Sequence, residues 1–78
     1  MKHGKFARDF GIRVRETRLK RGLSQEQLGF DAGLHRTAIS FIERAERSAT
    51  LETIEKLAIA LDVQPAELMP TIKRRAKP

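Results

Sequence analysis

Between Gln25 and Arg44 the sequence sets Arg36, Thr37, Ser40, Phe41 and Arg44 at helical spacing, on the side of a short helix opposite Ile39 and Ile42. That side carries guanidinium groups, hydroxyls and one aromatic ring. Arginine offers a planar fork of donors, and a hydroxyl donates or accepts. Such groups suit the edges of paired bases, because a helix fits the major groove, about 12 Å wide, and presents its donors there. Arg36 is the candidate for a bidentate contact to guanine, with a phosphate contact or a solvated side chain as the alternative. Thr37 and Ser40 are placed to meet bases or backbone. Phe41 is placed to touch a thymine methyl, or else to fold back over the edge of the core.

Catalytic constellations are not comparably supported. The chain has no cysteine, which excludes disulfides and thiolate metal sites. No Ser–His–acid set falls on ordered elements, and no phosphate-cradling GxxxxGK or GxGxxG string occurs. Glu52 and Glu55 read as a solvated helix face near its N-terminal end. His35 reads as a helix-start residue near phosphate; as a metal ligand its only histidine partner would be His3, in the N-terminal segment. The expectation is a protein that is not an enzyme and needs no metal, cofactor or small-molecule ligand.

Charge points to a polyanion. The 78 residues carry 16 Lys and Arg against 10 Asp and Glu, a net charge of +6. The excess sits at the ends. Residues 1–21 hold eight basic side chains against Asp9 and Glu16, and the tail adds Lys73, Arg74, Arg75 and Lys77. Residues 48–69 are mildly acidic, with Lys56 facing Glu52, Glu55, Asp62 and Glu67. Nucleic acid is the commonest partner of such a polarised surface, and a merely solubilising surface is the alternative. No apolar run approaches the ~18 residues that would span a bilayer, and the basic N-terminus lacks the apolar core of a signal peptide. A soluble protein of the cytoplasm is expected, with no membrane partner.

The elements that must hold these residues are helices. Phe6, Phe10 and Val14 recur at i, i+4 and i+8, and Gly22 supplies a stop. Ser24 with Gln27 forms a capping box that opens a second helix to about Ala32. Gly29 inside that helix costs roughly 1 kcal/mol relative to Ala, which close approach of the next helix explains. Gly33 takes the left-handed turn. Leu28, Ala32, Leu34, Ile39 and Ile42 make an apolar wedge between the second and third helices. Thr50 caps a fourth helix striped by Leu51, Ile54, Leu57, Ala58 and Leu61, and Pro65 starts a short fifth one to Met69. No stretch alternates as a strand would. The expected fold is all-α, a compact five-helix bundle over residues 6–70, with a flexible N-terminus (1–5) and a basic disordered tail (71–78).

With these elements in place, the chain resembles the helix-turn-helix domains of the phage repressor and Cro type. The resemblance rests on Arg18, Gly22-Leu23-Ser24-Gln25, Leu28-Gly29, Ala32-Gly33-Leu34, Ile39-Ser40, Ile42-Glu43-Arg44 and Leu51 through Leu68. Within that family, Leu34-His35-Arg36-Thr37 and the small size look most like the controller proteins of restriction–modification systems. The resemblance implies base readout by Arg36, Thr37, Ser40 and Phe41, and phosphate contacts by Gln25 and Arg44. It also implies an inner salt bridge between Arg18 and Glu43. Three residues depart from the family pattern around the third helix, one of them Phe41, an aromatic on the readout side where polar residues are more typical. Ala45 stands where glycine is usual, so the helix must end without glycine's freedom, and His35 replaces the usual Ser or Thr cap.

The function implied is sequence-specific transcription regulation by a homodimer on a palindromic operator, by steric repression or by contact with RNA polymerase. An antitoxin-like module that chiefly holds a protein partner is the alternative, and a non-specific nucleoid binder a third. The family places the dimer contact in the late helices, where Leu61, Val63, Leu68 and Met69 are the candidate residues. Ile12 and Leu19 are read as ordinary exposed aliphatics, with a partner surface as the alternative.

Overall fold

In the computed structural model, which describes residues 4–73, the chain forms five helices: α1 (Lys5–Lys20), α2 (Gln25–Ala32), α3 (Arg36–Glu43), α4 (Leu51–Leu61) and α5 (Pro65–Leu68). No strand occurs among the described residues. Lys5 already opens α1, and residues 71–73 are not helical; the rest of the proposed tail, and residues 1–3, lie outside the described residues.

Caps start the helices where the sequence placed them. The Ser24 hydroxyl accepts the Gln27 N–H at 3.0 Å while the Gln27 side-chain oxygen accepts the Ser24 N–H at 2.8 Å. Thr50 accepts the Thr53 N–H at 3.1 Å. His35 also serves as a cap: its Nδ1 accepts the Thr37 N–H at 3.1 Å, so the departure from Ser or Thr still gives one of the open N–H groups of α3 a side-chain partner.

The first four helices end in one way. Gly22, Gly33, Ala45 and Asp62 each have a positive φ, from 57° to 71°. Beyond each, an N–H reaches back five residues to a helix carbonyl: Leu23 to Arg18, Leu34 to Gly29, Glu46 to Phe41 and Val63 to Ala58. This is the six-to-one bond of a Schellman turn. Ala45 adopts it at φ 57° without glycine's freedom, and its methyl is buried, 1% exposed. The left-handed conformation costs about 1–2 kcal/mol for an L-residue, and burying the methyl offsets a good part of that, about 0.8 kcal/mol.

The core joins α1 to the rest through Phe10 and Val14, α2 through Leu28 and Ala32, and α3 through Ile39 and Ile42. Leu57, Ala58, Leu61 and Leu68 complete it from α4 and α5. Two glycines permit the close approaches. A Cβ on Gly29 would lie 2.5 Å from the Leu34 carbonyl oxygen, so the neighbour that excludes a side chain is the turn leading into α3. A Cβ on Gly11 would strike the Ile42 carbonyl oxygen and lie 2.7 Å from that of Glu43. These contacts seat α1 against the C-terminal end of α3 and fix the orientation of α3 from behind.

Candidate nucleic-acid interface

Helix α3 is sharply two-sided. Ile39, Ile42 and Glu43 are buried, whereas Arg36, Thr37 and Arg44 are exposed and Ser40 and Phe41 are half-buried. The five residues singled out for readout or phosphate contact on this helix therefore share its outer side. Thr37 is oriented by its neighbour, since its hydroxyl lies 2.8 Å from His35 Nδ1. Arg44 Nε approaches the Ser40 carbonyl at 3.4 Å, and its guanidinium lies 3.4 Å from Glu46. Arg36 extends from the first turn of α3 with its fork exposed to solvent.

What holds α3 is an internal ion pair. Arg18 Nε donates to Glu43 Oε2 at 2.7 Å and Nη2 donates to Oε1 at 3.0 Å. The third guanidinium nitrogen, Nη1, donates to the Leu23 carbonyl at 2.9 Å. The side chains are 8% and 2% exposed, so this is a buried, bidentate pair. The hydrogen bond to Glu43 raises the Arg18 pKa above its ordinary value against the opposing effect of burial. Gln25 belongs to the same network, its Nε2 donating to Glu43 Oε1 at 3.1 Å. One carboxylate thus ties α1, the start of α2 and the end of α3 together. Among the described residues no buried side-chain nitrogen or oxygen lacks a hydrogen-bond partner.

Phe41 neither lies free for a base nor simply folds into the core. Its ring carries the Arg47 guanidinium carbon 4.9 Å from its centroid and that of Arg44 at 5.8 Å. Sequence reasoning left Arg47 unassigned, because the residue lies beyond the end of α3. Its signal was an arginine six positions after an aromatic, legible only once the turn at Ala45 is known.

The late helices require a correction. Leu61 and Leu68 are 0% exposed and belong to this chain's own core, where α4 and α5 close on α1 and α2. Neither side chain is available to a second copy. Val63 and Met69 are half-buried. Two large apolar side chains of α4 stay open: Leu51, 85% exposed at its start and so outside the core stripe expected of it, and Ile59, 73% exposed, one turn before Val63. Ile12 and Leu19 are both exposed on α1, at about half of their surface.

The helix-turn-helix family profile matches residues 14–68. Over 61 residues the chain is 52% identical to a protein named control protein C.BamHI, from Bacillus amyloliquefaciens, covering 77% of this chain and 75% of that one. Its fold superposes with a TM-score of 0.80 on the restriction-modification controller protein C.AhdI from Aeromonas hydrophila, at 48% identity over 81% of this chain and 96% of that one. A TM-score of 0.79 at 29% identity relates it to the controller protein C.Esp1396I, solved as a tetramer in complex with its natural 35 base-pair operator, over 85% of this chain and 87% of that one.

Proposed function

The chain belongs to the helix-turn-helix family, and from that premise we propose that it is a transcriptional regulator of the restriction–modification controller kind. It binds a palindromic DNA operator as a homodimer, as a binding protein and not an enzyme, in the cytoplasm where its DNA lies. The observation that carries this reading is the two-sidedness of α3. Its inner side is locked by Ile39, Ile42 and the Arg18–Glu43 pair, and its outer side offers Arg36, Thr37, Ser40 and Arg44 to the major groove. The relatives named as controller proteins, one of them solved on its operator, support the same reading. Arg36 and Thr37, in the first turn of α3, take the base-reading position, since the N-terminal residues of a recognition helix reach base edges. Arg44 and the amides at the start of α2 take phosphates. Gln25 contributes through Glu43, to which it is already bonded.

Dimerisation supplies the information that one helix lacks. Ile59 and Val63 form the proposed contact between copies, with Met69 at its margin and Leu61 and Leu68 supporting it from beneath. Repression by occupancy of the promoter, or activation through contact with RNA polymerase, then depends on where the operator lies.

The reading is tested with Arg36. On a duplex selected by the protein, Arg36→Ala should cost about 1–3 kcal/mol and relax discrimination at one or two positions. Equal losses on the selected and on random-sequence duplexes, measured by titration at fixed salt, would reduce Arg36 to a phosphate contact. Stoichiometric capture of a protein partner without sequence-selective DNA binding would favour the antitoxin-like alternative.

A further inference from the structure

We propose that Phe41 is a positioning residue for arginine, and that Arg47, held on its ring, is an additional ligand for DNA phosphate beside the C-terminal end of α3. The proposal rests on the DNA-binding reading above. Its starting point is geometric. The left-handed turn at Ala45 folds the chain back, so that Arg47 comes to lie over a ring six residues earlier. At 4.9 Å from the centroid its guanidinium is within cation–π range.

Three further observations give this contact a consequence. Arg47 is exposed, and no carboxylate among the described residues lies within salt-bridge distance of it, whereas Arg44 is partly neutralised by Glu46 at 3.4 Å. Its charge is therefore available to an anion. Arg47 also borders a small cavity of about 90 Å³ whose other lining includes Phe6, Phe10 and Ile54, so apolar surface adjoins the residue. Finally, the loop after a recognition helix leaves the bases behind. The N-terminal residues of such a helix reach base edges, so a side chain held beyond its C-terminus meets the wall of the groove, which is phosphate.

The ring matters because arginine is otherwise costly to order. Its long side chain loses rotamer freedom on binding, and a platform that restricts it beforehand reduces that loss. With two guanidinium groups close to its centroid, the ring is not free to pack on a thymine methyl.

The test uses the full chain, a selected duplex and a random-sequence duplex of equal length. In the free protein, the Arg47 δ-proton resonances should be shifted upfield by the ring. They should return to ordinary positions in Phe41→Leu and stay shifted in Phe41→Tyr. On DNA, Arg47→Ala should weaken both duplexes by the same factor and flatten the log–log salt dependence by about 0.9. Phe41→Leu should weaken both about two- to five-fold, the range of an exposed cation–π contact, with no further loss in the Arg47→Ala background. Phe41→Tyr should bind like the parent, which separates positioning from a general loss of packing. Additive losses, an unshifted Arg47 resonance, or an altered preference at one base pair in Phe41→Leu would overturn the proposal. A parent chain that binds neither duplex would instead overturn the DNA-binding reading, and the resonance test would still judge the Phe41–Arg47 contact.

Discussion

Glu43→Gln is expected to lower the stability of the fold by about 3–5 kcal/mol, because it leaves the Arg18 guanidinium buried without its counter-charge. Solvent cannot compensate, since the Arg18 side chain is 8% exposed and that of Glu43 only 2%. The amide oxygen can replace one acceptor, but the carboxylate now accepts from Arg18 Nε, Arg18 Nη2 and Gln25 Nε2. Domains have roughly 0.05–0.15 kcal/mol of stability per residue, about 4–12 kcal/mol for a chain of this length, so the loss is a large fraction of the whole. A melt should shift down by about 12 °C or more, given 4–8 °C per kcal/mol for domains of 60–100 residues. Replacing both partners with apolar residues of similar volume, Arg18→Met with Glu43→Leu, should recover much of the loss, as removal of a whole buried pair is often near neutral. A Glu43→Gln melt indistinguishable from the parent would show that the pair does not hold α3 in place.

The second large effect is on assembly. Ile59→Glu with Val63→Glu should give a folded monomer that binds its operator on the order of a hundred-fold more weakly, the lower end of what linking two binding modules contributes. Ile59 is 73% exposed in the single chain, so a glutamate there removes little from the core. Introducing two negative charges into a surface shared by two-fold symmetry brings like charges together and should block association. Sedimentation is the direct readout. A variant that remains dimeric at the parent's concentration would place the interface elsewhere, and a parent that is monomeric even on its operator would remove the dimer from the account.

The elements were legible because their ends carry chemistry that acts locally. Ser24 with Gln27, Thr50 and Pro65 mark helix starts, and Gly22 and Gly33 mark left-handed stops. Ala45 and Asp62 make the same stop without glycine. Ala45 was marked only by the resemblance, as a position where glycine is usual, and Asp62 is of a type that enters the left-handed region more readily than most. Gly11 was silent: its need arises only when the carbonyls at the end of α3 arrive against α1. The outer side of α3 followed from periodicity, which places residues on a side and leaves open what each side chain touches. Phe41 illustrates the limit, because its partners Arg44 and Arg47 depend on the turn beyond the helix. Leu61 and Leu68 illustrate another. An apolar residue near a helix end reads alike whether it closes its own core or a partner's, and the short α5 packs back closely enough to bury both.

The central claim is that the outer side of α3 reads a DNA sequence twice, once from each of two copies. Selection of duplexes from a random-sequence pool by the full chain, followed by sequencing, tests it most directly. The expected result is enrichment of an inverted repeat whose half-sites lie about one helical turn apart, ~34 Å or a multiple of it, with the enrichment lost for Arg36→Ala at specific positions. A pool that binds in a salt-dependent way but shows no enriched sequence would contradict the claim and leave a non-specific polyanion binder.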